Sequence, residues 1–206
     1  VMAIDVSGSM LAKDLKPNRM EALKEVASNF VASRPNDRIG IVVYAGEAYT
    51  QIPVTSDKAI VEDAIKKMTF DTGLQDGTAI GMGLTTAVNR LKDSKAKSKV
   101  IILLTDGVNN AGFIEPETAS DIAEQYGIKV YTIGIGTNGM AEFPYAIAPN
   151  GQFLFRMMQV EIDEKLMQSI ARKTGGKYFR ATSNSKLAQI YKEINKLETT
   201  EIEELR

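Results

Sequence analysis

Short apolar runs alternate along the 206-residue chain with longer segments of helical period. The apolar runs are bounded by Gly, Asp or Ser, which is typical of buried β-strands. They lie at 1–5, 38–44, 100–105, 129–134 and 177–180. The run at 100–105 is apolar on both faces, as expected for a central parallel strand covered by helices on each side. A further strand at 48–52 is expected to pair antiparallel with 38–44 across the turn at 45–47.

Amphipathic segments separate these runs. Apolar residues recur every three or four positions at 20–31, 60–68, 80–91, 119–126, 166–171 and 187–197, which predicts six helices. Pro17 is expected to open the first helix and Ser183 to cap the last one. The alternation predicts a single α/β domain over residues 1–206, with a doubly wound, mostly parallel sheet, helices on both faces and one antiparallel edge strand.

Two segments depart from this alternation. Residues 138–159 carry Pro144, Pro149 and Gly151 among aromatic and Met residues, and they are too many for an ordinary connection. We predict a hairpin or loop insertion here, whose apolar side chains either pack locally or form part of a partner-binding surface. Residues 199–206 form a charged tail. Because the chain also starts in an apolar strand without Met, we expect it to be part of a longer protein that continues beyond this tail.

The composition narrows the possible chemistry. Lys and Arg number 25 against 26 Asp and Glu, so no basic surface for nucleic acid or membrane is expected. The chain has no Cys and no His, which excludes disulfides, zinc sites built on Cys or His, and Ser-His-Asp catalysis. No apolar run approaches the ~18 residues of a membrane-spanning helix.

Oxygen-bearing side chains follow two of the predicted strands. The first strand runs into Asp5-Val6-Ser7-Gly8-Ser9, and the central strand runs into Asp106. Ligands of open parallel sheets bind at the carboxyl ends of strands, and Thr78 at the start of the third helix can add another oxygen. Two carboxylates and three hydroxyls suit a hard divalent cation. The expected ion is Mg²⁺, with Mn²⁺ or Ca²⁺ as alternatives, and the geometry favours Mg²⁺ or Mn²⁺ because Ca²⁺ usually gathers more ligands.

This pattern resembles the metal-ion-dependent adhesion site of von Willebrand factor A domains, which consists of Asp-x-Ser-x-Ser, a distant Thr and a distant Asp. The resemblance implies metal ligation by Asp5, Ser7, Ser9, Thr78 and Asp106, with the hydroxyls contacting the metal directly and the acids often acting through water. It also implies a non-enzymatic module that binds an Asp or Glu of a protein partner through the cation.

A narrower resemblance links the chain to the Bat (aerotolerance) membrane proteins of bacteria. The residues that carry it lie at 3–10, 37–42, 76–81, 105–110, 160–163 and 174–181. This resemblance implies a domain held at the bacterial inner membrane by segments outside this chain, facing the periplasm. It further implies partners among the other members of the same membrane complex.

Other interpretations of these residues were weighed. Asp5 and Asp106 can act as simple helix caps, and Asp71 and Asp76 are expected to be loop acids. The Gly-x-Gly-x-x-Gly at 134–139 matches a dinucleotide-binding loop only if a helix follows it. The competing function is Mg²⁺-dependent phosphoryl transfer with Asp5 as the nucleophile, as in haloacid dehalogenase phosphatases. That class carries a second acid two residues later, where this chain has Ser7.

Overall fold

The described part of the chain folds into one six-stranded sheet, a two-stranded hairpin and six α-helices. The computed structural model describes the backbone of residues 1–70 and 74–204 and the side chains up to residue 199. Asp71 and the last two residues of the charged tail therefore lie outside the described residues. The strands are β1 (Met2–Asp5), β2 (Ile39–Tyr44), β3 (Ala48–Thr55), β4 (Val100–Thr105), β5 (Lys129–Ile135), β6 (Met140–Ile147), β7 (Phe153–Gln159) and β8 (Tyr178–Ala181).

The helices occupy the six segments of helical period. They are α1 (Arg19–Ala32), α2 (Lys58–Lys67), α3 (Ile80–Leu91), α4 (Pro116–Gln125), α5 (Glu164–Thr174) and α6 (Asn184–Glu204), and a short 3-10 helix lies at Gly8–Leu11. The first helix begins later than Pro17 predicts, because the Asn18 side chain accepts a hydrogen bond from the Glu21 N–H and caps the helix itself. Ser183 does accept a hydrogen bond from the Lys186 N–H, as expected of a cap.

The main sheet has the strand order β3-β2-β1-β4-β5-β8. All neighbouring pairs are parallel except β2 with β3, which is the antiparallel edge strand. Successive strands are added on one side of β1 and then, from β4 onward, on its other side. The predicted α/β fold class is therefore confirmed, and the switch point between β1 and β4 is where such sheets bind ligands.

Two hydrophobic layers cover the sheet. One face packs against α1, α2 and α6, and the other against α3, α4 and α5. Within β1, Met2 and Ile4 face the first layer and Ala3 faces the second, and all four residues of the strand are buried. This double coverage explains why the central strands are continuous apolar runs.

The segment with no helical period forms an antiparallel hairpin of β6 and β7 that stands apart from the main sheet. We call the residues Met140–Gln159 the hairpin. Gly136 and Gly139 before it adopt positive φ angles, and the chain then enters β6. The Gly-x-Gly-x-x-Gly motif therefore opens a strand instead of a helix, so it lacks the helix N-terminus that holds a dinucleotide pyrophosphate.

Candidate metal site at the carboxyl end of the sheet

Asp5 is the last residue of β1, and its side chain is fully buried. One carboxylate oxygen accepts a hydrogen bond from the Ser7 N–H at 2.9 Å, and the other accepts one from the Thr105 hydroxyl at 3.0 Å. Because Ser7 belongs to the following turn and Thr105 ends the adjacent β4, these bonds tie the turn to the neighbouring strand. Asp5 thereby holds the turn after β1 and the end of β4 in place on the two sides of the switch point.

The two serines lie on the turn that begins immediately after β1. Their hydroxyl oxygens are 2.9 Å apart, and the Ser7 hydroxyl lies 3.5 Å from the Asp106 Oδ1. Ser7 begins the 3-10 helix but makes no capping hydrogen bond with its side chain. Its hydroxyl instead points to Ser9 and Asp106, which brings oxygens from the ends of β1 and β4 into one small volume.

Thr78 reaches the same region from the start of α3. Its backbone is clamped by Asn110, whose side-chain oxygen accepts from the Thr78 N–H at 2.8 Å and whose own N–H donates to the Thr78 carbonyl at 3.0 Å. Gly46 also packs closely against the backbone before Thr78, since a Cβ at residue 46 would lie only 2.4 Å from the Asp76 carbonyl oxygen. The Thr78 hydroxyl oxygen lies 3.9 Å from the place a Cβ would occupy on Gly107, so it faces the loop that follows Asp106.

Asp106 is paired with a buried arginine that the sequence pattern did not single out. Arg19 is fully buried, and it donates to the Asp106 Oδ2 at 3.2 Å and to both oxygens of Asp14 at 2.7 Å. Asp14 also accepts from the Thr137 N–H at 2.9 Å. The one available signal was weak: a cation at the first position of a helix opposes the helix dipole, so Arg19 needed a nearby acid.

The asparagines after Asp106 are the other functional residues that were missed. Asn109 accepts from the Ile80 N–H at 3.0 Å while Asn110 holds Thr78. Asn109 thereby satisfies the free N–H of the first residue of α3, whose capping residue Ala79 has no polar side chain to do so, and Asn110 holds the residue before that cap. The loop that follows β4 therefore carries Asp106 and also positions Thr78 through Asn110.

Uncompensated negative charge is concentrated at this place. Burial, and next the nearby Asp106 carboxylate, hold the pKa of Asp5 well above its usual range. Burial also opposes ionisation of Asp14, but the hydrogen bonds and charge of Arg19 outweigh it and keep the pKa of Asp14 below its usual value. When ionised, the three acids and one guanidinium leave two negative charges, which a divalent cation balances.

The donor set fits a hard divalent cation. Hydrogen bonds join Asp5, Ser7, Ser9 and Asp106, and Thr78 lines the same cavity as the two serines. All the available donors are oxygen atoms, and three of the five are neutral hydroxyls. Among the described residues no group of three or more His, Cys, Asp or Glu could hold a metal, so a cation here depends on the hydroxyls as well as on the two acids.

Comparisons with known proteins agree with the fold. The family model for the von Willebrand factor type A domain matches residues 1–193. An uncharacterized protein from Borreliella burgdorferi is 29% identical over 202 residues, which cover 98% of this chain and 59% of that protein. The chain therefore spans little more than half the length of this curated relative.

Solved structures provide more specific similarities. An aerotolerance-related membrane protein from Bacteroides fragilis superposes with a TM-score of 0.79 at 29% identity, covering 95% of both chains. BatB from Bacteroides thetaiotaomicron gives a TM-score of 0.78 at 32% identity, covering 96% of this chain and 97% of that one. Proximal thread matrix protein 1 from the mussel byssus was solved with zinc in its metal-ion-dependent adhesion site (MIDAS) motif. It gives a TM-score of 0.72 at 26% identity, covering 96% of this chain and 44% of that one.

Proposed function

The chain belongs to the von Willebrand factor type A domain family, and we propose that it is a non-enzymatic module that binds a protein partner through a divalent cation. In this proposal Asp5, Ser7, Ser9, Thr78 and Asp106 hold the cation, which is Mg²⁺ or, failing that, Mn²⁺ or Ca²⁺. The partner supplies an Asp or Glu carboxylate to the same cation.

The observation that carries the proposal is the convergence of oxygens at the switch point between β1 and β4. The Ser7 hydroxyl oxygen lies 3.5 Å from the Asp106 Oδ1, although the two residues are 99 positions apart in the sequence. The Ser9 hydroxyl oxygen lies 2.9 Å from that of Ser7. Simple helix capping does not explain this arrangement, because Ser7 makes no side-chain capping bond and the helix after Asp106 begins ten residues later, at Pro116.

The neutral hydroxyls suit a binding role. Ser7, Ser9 and Thr78 can coordinate a cation without cancelling its charge, so the cation stays able to attract one more anion. Arg19 has the complementary effect, because it balances Asp14 and part of the charge of Asp106 from the protein interior. The groove beside Ser7, Ser9 and Thr78 provides open space from which a partner carboxylate can approach.

The alternative of phosphoryl transfer receives less support from the geometry. A nucleophilic Asp5 needs a carboxylate oxygen exposed to substrate, whereas its side chain is fully buried and both oxygens accept hydrogen bonds. Haloacid dehalogenase enzymes also carry a second acid where this chain has Ser7. A release assay for inorganic phosphate with Mg²⁺ and a generic phosphomonoester tests this alternative directly.

The relatives extend the proposal to a cellular setting. The zinc in the byssus protein supports cation binding by the related motif, and the similarity to a Bacteroides aerotolerance-related membrane protein supports a place in the bacterial envelope. No helix within the described residues is long and apolar enough to cross a membrane. We propose that segments outside this chain anchor the domain in the inner membrane, facing the periplasm, and that its partners belong to the same membrane complex.

Calorimetric titration of Mg²⁺ and Mn²⁺ into chelator-treated protein tests the site. We expect saturable binding of one cation by the wild type and none by Asp5→Asn or Asp106→Asn. An acidic peptide should then bind in Mg²⁺ and not in EDTA. Full-strength cation binding by both variants would refute the ligand assignment, and peptide binding of equal strength in EDTA would refute the cation bridge.

A further inference from the structure

The hairpin is fixed beside the candidate metal site by contacts to the same residues that frame it. The Lys13 N–H donates to the Glu142 carbonyl at 3.1 Å, and the Lys13 ammonium lies 3.8 Å from the centre of the Phe155 ring. Arg19, which pairs with Asp106, lies 4.9 Å from the centre of the Phe143 ring. The hairpin is therefore positioned by the turn that follows β1 and by the guanidinium behind the site.

The connection into the hairpin is anchored from the other side as well. Arg180 of β8 donates to the carbonyls of Gly136 and Thr137 at 3.0 and 2.9 Å, and the Thr137 N–H donates to Asp14. Glu164 holds Arg180 through an ion pair of 3.0 Å. Because both sides of residues 136–137 are bonded, the hairpin projects from a fixed base.

A groove of about 550 Å³ runs between the hairpin and the metal site. One wall contains the hydroxyl-bearing Ser7, Ser9 and Thr78, and the other contains apolar side chains of the hairpin, including Tyr145 and Ile147. This volume lies in the range of sites that bind small molecules or short peptide segments. The two walls differ sharply in chemistry, with oxygen donors on one side and apolar surface on the other.

The apolar wall is accessible to solvent. Tyr145 is 51% exposed and Ile147 is 64% exposed, although isolated large apolar residues on a surface are common and need no explanation by themselves. Here they are contiguous, and they border a groove that ends at the candidate cation site. Contiguous exposed apolar surface next to a polar anchor is typical of protein-binding surfaces.

The charges along the groove limit what can occupy it. The described residues that line it include one acid, Asp76, and no Lys or Arg. Among the lining residues a carboxylate that enters the groove therefore finds no positive partner besides the cation, and additional acids there would meet Asp76. The Arg156 guanidinium lies outside the lining, 5.4 Å from the centre of the Tyr145 ring. Apart from the Tyr145 hydroxyl, the side chains of the apolar wall have no hydrogen-bonding group to offer a hydrophilic neighbour of that carboxylate.

We propose that this groove docks an extended segment of a protein partner that carries a single Asp or Glu flanked by large apolar side chains. The carboxylate binds the cation, and the apolar neighbours pack on Tyr145, Ile147 and Met158. The proposal rests on the proposed function, because it assigns the partner of the same cation site. It adds a selectivity rule: runs of acidic residues bind less well than one acid in an apolar context.

Selection from a library of random 12-residue peptides displayed on phage tests the rule, with the domain immobilised in Mg²⁺ and the bound phage eluted by EDTA. We expect enrichment of peptides with one acid next to large apolar residues. For an enriched peptide, replacing the acid by Asn or the apolar neighbours by Ser should each weaken binding about tenfold or more.

Two matched variants of the hairpin locate the contact. Ile147 lines the groove, whereas Met157 is similarly exposed, at 56%, on the neighbouring strand and does not line it. We expect Ile147→Ser to weaken the enriched peptide about tenfold and Met157→Ser to leave its affinity unchanged. Thermal melts verify that both exposed substitutions leave the fold intact.

The contrary outcomes are distinguishable. Three outcomes would overturn the groove proposal and leave the cation-site proposal intact. They are no enrichment of peptides, enrichment of acidic peptides without apolar neighbours, and equal losses of affinity for Ile147→Ser and Met157→Ser. Binding that survives EDTA and the Asn replacement would overturn the groove proposal together with the cation bridge. Binding of the domain alone to phosphatidylcholine–phosphatidylglycerol vesicles, lost in Ile147→Ser, would assign the apolar wall to a membrane surface instead.

Discussion

The isosteric change Asp5→Asn separates the role of Asp5 in the fold from its role in the cation site. The wild-type carboxylate accepts hydrogen bonds from the Ser7 N–H and the Thr105 hydroxyl. An Asn side chain can keep both, because its oxygen can accept from Ser7 and its amide can donate to Thr105. It gives up the longer hydrogen bond, of 3.4 Å, that the Asp106 N–H donates to the Asp5 Oδ2. It removes one of two neighbouring buried acids, so the repulsion from Asp106 that helps to raise the pKa of Asp5 disappears.

The expected magnitudes differ with and without cation. In EDTA we expect the melting temperature Tm of Asp5→Asn to stay close to that of the wild type, because the two shorter hydrogen bonds stay and the lost repulsion offsets the loss of the longer bond from the Asp106 N–H. Cation at 100 times its Kd stabilises the folded wild type by about 2.7 kcal/mol. At about 2–4 °C per kcal/mol for a domain of this size, the wild-type Tm should rise by about 5–11 °C, and that of the variant should not rise.

Thermal melts by circular dichroism, in EDTA and in a series of Mg²⁺ concentrations, measure both effects. Asp93→Asn is the matched control, since Asp93 is exposed beyond the C-terminal end of α3, at the far end of the sheet. It should show the wild-type response to Mg²⁺. An equal rise of Tm in the wild type and in Asp5→Asn would refute the assignment of Asp5 to the cation site. A large drop of Tm for Asp5→Asn in EDTA would refute the repulsion argument.

The remaining predictions concern residues around the site. Arg19→Met leaves Asp14 and Asp106 without their guanidinium partner, so the free energy of unfolding in EDTA should fall by about 3–5 kcal/mol in urea denaturation. Lys67→Met, which removes the exposed pair with Asp63, should cost under about 1 kcal/mol, and equal losses would contradict the prediction. Asn110→Ala frees the Thr78 backbone and should lower Mg²⁺ affinity about 10–100-fold by calorimetry, while Asn150→Ala in the hairpin turn should not. Hydrogen bonds from Tyr178 and Arg180 lower the pKa of Glu164, so its stabilisation is present above the unfolded-state pKa and is lost as the pH falls through the folded-state value. Glu164→Gln should therefore reduce the loss of stability between neutral and acidic pH by under about 1 kcal/mol, because Glu164 is half exposed, and an unchanged pH dependence would argue against that pair.

The sequence was sufficient for the fold because the relevant signals are local. Each buried strand is a short apolar run, and each helix shows its own period, so alternation alone indicates the doubly wound sheet. The antiparallel edge strand was predicted from one short turn after β2. The start of α1 was predicted less well, since Pro17 and Asn18 both favour a helix start and only the observed hydrogen bond to Glu21 decides between them.

The candidate ligands were foreseeable for the same reason, whereas the residues that place them were not. Asp5, Ser7 and Ser9 lie within five positions of the chain, and Asp106 directly follows a recognisable strand. The residues that hold them act across long separations: Arg19 reaches Asp106 over 87 positions, and Asn110 reaches Thr78 over 32. No periodicity or spacing rule encodes such contacts, because they depend on how the loops meet after the sheet has formed.

The charge balance at the switch point links these missed residues to the proposed mode of binding. Asp5, Asp14 and Asp106 bring three negative charges, and Arg19 returns one positive charge from the protein interior. In the proposed mode of binding, a divalent cation would bring the total to zero, and a partner carboxylate would be attracted mainly by the exposed side of the cation itself. The attraction between such a cation and a carboxylate is strong at contact and is screened by salt at longer distances. Affinity and selectivity then depend on what lies beside the cation, and beside it the fold holds the apolar wall of the hairpin, fixed by the same arginine that balances the site.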